Sequence, residues 1–251
     1  MNDVILETEG LTKEFLGFVA VKDVTLKIRR GTIHALIGPN GAGKTTCFNL
    51  LTKFLTPTRG RIVFNGKDIT GLEPAQLARQ GIVRSFQISA IFPSCTLLEN
   101  VRLALQRRHH GGSFDFWRSA TVLRELDARA RELLLSVGLE RAADKIASAL
   151  PYGQKRALEL ATTLALEPEL LLLDEPTAGM GHEDVDRISA LIQHVAEKRT
   201  VLMVEHNLKI VQNLSQTITV LSRGQIIAEG DYATVSKDPG VVSAYLGSAH
   251  A

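Results

Sequence analysis

The residues best suited to chemistry stand near the start of the chain. Gly38-Pro39-Asn40-Gly41-Ala42-Gly43-Lys44-Thr45-Thr46 matches the spacing G-x-x-x-x-G-K-[ST]. Glycines at these positions let backbone N–H groups curl around phosphate oxygens, and a following helix adds the positive end of its dipole. Lys44 then reaches the β- and γ-phosphates of a nucleotide, Thr45 ligates Mg²⁺, and Thr46 meets the α-phosphate. A dinucleotide loop is excluded, because Gly41-Ala42-Gly43 runs straight into Lys44-Thr45-Thr46 without a third glycine to pack helix on strand.

Phosphoryl transfer also needs a carboxylate for the metal and a group that orients water. The apolar residues 170–173 end in Asp174-Glu175, where Asp174 suits a hold on Mg²⁺ and Glu175 suits a general base. Alone, such a pair reads as two solvated acids at a strand end; beside a phosphate loop it reads as catalytic. Residues 201–204 repeat the theme and end in Glu205-His206. If their strand lies parallel to its neighbour, His206 arrives at the same sheet edge and can sense the γ-phosphate. Gln87 closes a short strand before a helical stretch, and its neutral amide can ligate Mg²⁺ or position water.

These groups need elements to hold them. Residues 4–9 and 24–28 alternate as half-solvated strands, and residues 32–37 form an apolar strand that feeds the glycine loop and a helix over 44–51. A short strand at 61–64, the Asn65-Gly66 turn and a helix from Pro74 follow. Between about 97 and 166 the period becomes helical, with Val122, Leu126, Ala130, Leu133, Leu134 and Val137 on one face. Strands at 170–173, 200–204 and 217–221 alternate with helices at 183–197 and 207–214, which predicts a parallel sheet covered on both faces. The expected fold class is α/β, a nucleotide-binding core of residues 1–87 and 161–251 with an N-terminal antiparallel β region, interrupted by a helical subdomain over 88–160.

The 251 residues are 45% hydrophobic and 22% charged, ordinary globular usage that excludes disordered and collagen-like classes. With 29 Lys+Arg against 27 Asp+Glu, the net charge of +2 gives no drive toward nucleic acid or anionic membranes. Cys47 and Cys95 cannot build a disulfide framework, and Met1-Asn2-Asp3 does not begin as a secretory signal. No apolar run reaches membrane-spanning length, so membrane association is expected through a partner. The segment Arg107-Arg108-His109-His110-Gly111-Gly112-Ser113 reads as a solvated loop, with a basic contact site for a partner as the alternative.

In this order the motifs resemble the ATP-binding subunit of an ABC transporter, with a P-loop NTPase (ABC ATPase) core, and the resemblance covers essentially the whole chain. Leu150-Pro151-Tyr152-Gly153-Gln154 stands where that family has its L-S-G-G-Q signature. The resemblance implies that Gln87 is the Q-loop residue, His206 the switch histidine, and Phe15 an aromatic that stacks on adenine with Val21 beneath it. It implies ATP and Mg²⁺ as ligands and a head-to-tail dimer with a second ABC ATPase subunit, a heterodimer or alternatively a homodimer, in which Tyr152, Gly153 and Gln154 cap the partner's nucleotide. It further implies transmembrane permease subunits, an extracytoplasmic substrate-binding protein, and a place on the cytoplasmic face of the bacterial inner membrane. Within the family the chain is similar to the longer ATPase of branched-chain amino-acid importers. The Y-G-Q signature, Phe92-Pro93, Leu98-Glu99-Asn100-Val101, Glu175-Pro176-Thr177-Ala178-Gly179-Met180, Val204-Glu205-His206-Asn207 and Ala244-Tyr245-Leu246-Gly247 carry that likeness. Urea, amide and lipopolysaccharide-export ATPases share several of these stretches.

Two positions depart from the family pattern. Pro151 replaces the usual serine, removing a hydroxyl and an N–H from the loop offered to a partner's nucleotide, although Gly153 can still donate. In Met180-Gly181-His182-Glu183, Gly181 stands where the family has an aspartate. Other readings are a soluble ABC-type ATPase acting on DNA or ribosomes, which lacks here its long coiled coil or second cassette, and a regulatory module without hydrolysis, which Glu175 and His206 together disfavour.

Overall fold

The computed structural model describes residues 3–85, 91–109 and 120–247. The chain opens with β1 (Val4–Phe15), β2 (Phe18–Val24) and β3 (Lys27–Arg29), then enters β4 (Ile33–Ile37) and α1 (Lys44–Leu51). β5 (Arg59–Phe64) and β6 (Lys67–Asp68) form a hairpin across Asn65-Gly66, followed by α2 (Pro74–Arg79) and β7 (Ile82–Ser85). Glu73 and Gln76 cap α2 reciprocally and Pro74 starts it, which fixes the helix where the sequence places it. Next come α3 (Leu97–His109), α4 (Ala120–Ser136) and α5 (Tyr152–Leu164), the predicted helical stretch. The second half adds β8 (Leu170–Asp174), α6 (His182–Ala196), β9 (Thr200–Val204), α7 (Leu208–Leu214), β10 (Thr217–Ser222), β11 (Gln225–Gly230), α8 (Tyr232–Val235) and α9 (Pro239–Gly247).

Among the described residues these strands form two sheets. β2, β1, β5 and β6 pair antiparallel in that order, with β3 also on β1. The second sheet runs β11-β10-β4-β9-β8-β7, parallel from β10 through β7. Every residue of β4, β8 and β9 is buried, as apolar strands covered on both faces require. Alternation divides them. Ile33, Ala35, Leu171, Leu173, Val201 and Met203 join one cluster with α3, α4 and α5. Leu36, Leu170, Leu172, Leu202 and Val204 join the other with Phe48, Leu50 and Leu51 of α1. Each fully buried Leu, Val or Phe stabilises the fold by roughly 1.5–3 kcal/mol.

The structure corrects the sequence reading in places. The sheet is not wholly parallel, because β11 returns antiparallel along β10 through the tight turn at Arg223-Gly224. The expected strand at 24–28 is divided between β2 and β3, and the first strand continues to Phe15. Leu126, Ala130, Leu133, Leu134 and Val137 are buried as their period predicts; Arg107, Arg108 and His109 of the expected loop end α3 instead, and the side chain of Val122 and residues 110–113 lie outside the described residues.

His34 is a buried polar residue inside β4. The Thr219 hydroxyl donates to Glu229 Oε2 at 2.7 Å, so it accepts from His34 Nε2 at 2.8 Å and holds the imidazole neutral with its proton on Nε2. Burial pushes the His34 pKa down to about 4. Between that value and the ordinary 6.5 the unfolded chain binds the extra proton, so this contribution is present above pH 6.5 and is lost as pH falls toward 4. Between pH 7 and pH 5, wild type is expected to lose about 2 kcal/mol more stability than His34→Gln. Urea midpoints of both proteins at the two pH values check this.

Candidate functional site

Parallel register delivers the chemistry to one edge. Leu36 of β4 is level with Val204 of β9, Val204 with Asp174 of β8, and Leu173 with Ser85 of β7. The carboxyl ends of four adjacent strands thus open on the same side, where ligands bind in open α/β sheets.

The glycine loop leaves β4 at Gly38 and enters α1 at Lys44. A Cβ on Gly38 would stand 2.1 Å from the Leu221 carbonyl oxygen, and one on Gly43 would stand 2.5 Å from that of Ala20. Gly43 also has φ of +97°, so no larger residue fits this approach between loop, β2 and β10. Pro39, Asn40, Gly41 and Ala42 form the rest of the turn, with the Ala42 N–H donating to the Pro39 carbonyl at 3.2 Å. No side chain caps α1, leaving its first turn to an outside acceptor. Lys44 is buried, and its ammonium donates to the carbonyls of Gly38 and Pro39 at 2.8 and 2.9 Å. Desolvation lowers its pKa, opposed by the negative charge of Glu175. A buried ammonium within a loop at a helix N-terminus fits a polyphosphate. Exposed Thr45 and the Asp174 carboxylate supply the hard oxygen donors that suit Mg²⁺, and Thr46 is half-buried beside Thr45.

At the next strand ends Asp174 is buried and paired with Arg84 at 2.5 Å. Glu175 takes left-handed backbone, φ of +45°, while its N–H bonds the Val204 carbonyl at 2.9 Å. That twist turns its side chain to His206, whose Nε2 lies 2.6 Å from Glu175 Oε1. Both remain partly open to solvent, at 26% and 45% exposure, so water reaches the pair. The structure therefore brings Lys44, Asp174, Glu175 and His206 to one edge.

The other predicted residues are placed as follows. Phe15 lies at the tip of the β1–β2 hairpin, 40% exposed, with the Lys13 ammonium 5.1 Å from its ring centre. Val21 is fully buried in β2, next to the Ala20 carbonyl that Gly43 approaches. Tyr152, Gly153 and Gln154 make the first turn of α5 and face a different neighbour: the Tyr152 hydroxyl lies 3.4 Å from the Ala178 carbonyl, and Gly153 packs against the Asp184 carboxylate. Gln87 lies outside the described residues; β7, which leads to it, ends at Ser85.

Sequence reasoning gave no role to Glu205 or Arg84. Glu205 is 4% exposed, yet its carboxylate accepts from the N–H groups of Thr177, His206 and Asn207 at 3.3, 2.8 and 3.1 Å and from the Thr177 hydroxyl. It knits the turn after Glu175 to the turn carrying His206. The available signal was an acid directly after four apolar strand residues, where a solvated side chain is not expected. Behind the site, Glu159 of α5 accepts from Ser85 at 3.2 Å and from Arg156 at 2.8 Å, tying the helix of Tyr152 to β7.

A protein-family model described as ABC transporter matches residues 21–178, and one described as branched-chain amino acid ATP-binding cassette transporter matches residues 225–251. The high-affinity branched-chain amino acid transport ATP-binding protein BraF of Pseudomonas aeruginosa is 40% identical over 259 residues, spanning 99% of this chain and all of the relative. Among solved structures, an ATP-binding cassette of an ABC transporter in its ADP conformation superposes with a TM-score of 0.85 at 33% identity, covering 97% of this chain and 99% of that one. A dimeric cassette in a post-hydrolysis state, bound to ADP and Pi, gives 0.75 at 27% identity over 90% and 98% of the chains.

The Glu205 bonds carry a measurable expectation. Glu205→Ala leaves buried donors of Thr177 and His206 without their acceptor and should destabilise the chain by about 2–3 kcal/mol. A thermal melt should show this as a loss of roughly 5–10 °C.

Proposed function

Because the chain belongs to the ABC transporter family and hydrolyses ATP, we propose that it powers uptake of branched-chain amino acids through a membrane importer. The observation that carries this cargo is the full-length likeness to a branched-chain amino acid transport ATP-binding protein, joined by the matching C-terminal segment at 225–251.

The chemistry is in-line attack of water on the γ-phosphate. Glu175 orients the water, and the 2.6 Å bond to His206 holds that carboxylate until His206 turns to the γ-phosphate. Lys44, which bridges two loop carbonyls, transfers its hydrogen bonds to phosphate oxygens and neutralises charge as it develops. Thr45, Asp174 and Gln87 are the groups that would hold Mg²⁺, which when bound supplies further charge neutralisation. Phe15 stacks on adenine and Val21 supports it.

A nucleotide held this way lies open on one side. The first turn of α5, with Tyr152, Gly153 and Gln154, covers the nucleotide of a second ATPase subunit, and we assign a heterodimer arranged head to tail. Pro151 offers that partner one hydroxyl and one N–H fewer than serine would. Residues 1–87 and 161–251 act as the nucleotide core and residues 88–160 as the moving helical part. No helix among the described residues is long and apolar enough to cross a membrane. Work on cargo therefore passes to transmembrane permease subunits, with an extracytoplasmic binding protein beyond them and this chain on the cytoplasmic face. A groove of about 1050 Å³ between α2–β7 and α3–α5 offers the exposed Phe54, Phe92 and Leu103 to the permease.

Two experiments test the reading. Glu175→Gln should keep ATP affinity, lose at least about 100-fold in turnover and trap a closed dimer seen by size-exclusion chromatography with ATP; wild-type turnover would refute the assigned base. Cells whose sole copy carries Lys44→Ala should lose uptake of labelled leucine, isoleucine and valine while retaining urea and a short-chain amide. Loss confined to urea or the amide would replace the cargo.

A further inference from the structure

Asp174 already has a cation. Arg84 leaves β7 and places Nη2 2.5 Å from Asp174 Oδ2, with the two side chains only 13% and 8% exposed. Its flat guanidinium lies 5.0 Å from the ring centre of Phe48 and 5.5 Å from that of Phe54. Its Nη1 meets Asn49 Oδ1 at 2.6 Å and Thr52 Oγ1 at 3.4 Å. An ammonium could not stack on two rings while reaching three oxygens, so this position requires arginine. Phe48 and Asn49 belong to α1, the helix that the phosphate loop starts, and Thr52 caps its end. Arg84, Thr52 and Phe54 also line the groove between the core and the helices.

This geometry has an electrostatic consequence. A buried carboxylate without a counter-charge is costly, and here the guanidinium supplies that counter-charge. A divalent ion approaching the same carboxylate meets a positive charge already seated on one of its oxygens. We propose that Arg84 is a positioning residue, the built-in counter-ion of Asp174, which competes with the metal for that carboxylate and so sets how much metal adds to nucleotide affinity. The inference rests on the reading of Asp174 as a metal carboxylate. Because the guanidinium also borders the groove, whatever occupies the groove can alter this competition by moving one side chain.

The test is the ratio of affinities of the full-length chain for a fluorescent ADP analogue with Mg²⁺ and with EDTA. Arg84→Gln keeps a polar group near Asn49 but removes the charge, and should raise the ratio by about three- to tenfold. Asn49→Asp leaves Arg84 in place, offers its guanidinium a rival carboxylate, and should raise the ratio in the same direction. Arg84→Lys keeps the charge but not the double stacking or the three oxygen contacts, and should raise the ratio by less than Arg84→Gln does. A ratio unchanged or lowered in whichever of Arg84→Gln and Asn49→Asp melts cooperatively overturns the counter-ion role. Asp174→Asn separates the two levels: a ratio that stays at wild type there refutes the metal reading itself, whereas its collapse toward one leaves only the role of Arg84 at stake.

Discussion

The level register of four parallel strands is the constraint on which the site depends. Hydrogen bonds between β4, β9, β8 and β7 set the heights at which those strands end, and the turns that follow inherit them. A slip of one residue in β8 would invert its faces, exchanging Leu171 and Leu173 with Leu170 and Leu172 between the two cores and turning Asp174 away from the loop. Hydrophobic burial therefore enforces the geometry of the candidate site: the alternation that fills both cores is the same one that brings Lys44, Asp174 and Glu175 to one edge.

Much of this was legible in the chain. β9 and α1 fall at the residues that periodicity and the glycine loop predict, because a buried strand bounded by turns and a helix beginning after glycine are local signals. That the loop lysine and the two acids would end at one edge of the sheet followed from residue type and position alone. β11 was not legible, since Ile226-Ile227-Ala228 stand in a row in its sequence although burial alternates along it. The pairing of Arg84 with Asp174 joins residues far apart in sequence, and nothing local in either stretch announces it. Glu205 was visible as a residue but not as a scaffold, because a carboxylate collecting backbone N–H groups is a property of two turns meeting in space.

The polar interior of the site is organised by charge as much as by shape. Lys44, Arg84 and Glu205 are all buried or nearly so, and each has its charge met by carbonyls, a carboxylate or N–H groups. Such groups are tolerated in a core when every partner is present, and they hold neighbouring turns in one arrangement. Glu175 and His206 are different, since they remain partly exposed and bonded mainly to each other. The fixed charges frame the site, while the exposed pair is left able to move.

The ammonium of Lys44 already spans the loop, donating to Gly38 and Pro39 across it. The loop is thus held in its curved form by an internal strut, so that, on the reading proposed above, a phosphate chain would enter a finished receptacle and one side chain would exchange partners. On that reading capture is a substitution of ligands around a single nitrogen rather than the folding of a disordered segment. The entropy of ordering the loop is spent when the protein folds, and binding begins from a rigid host.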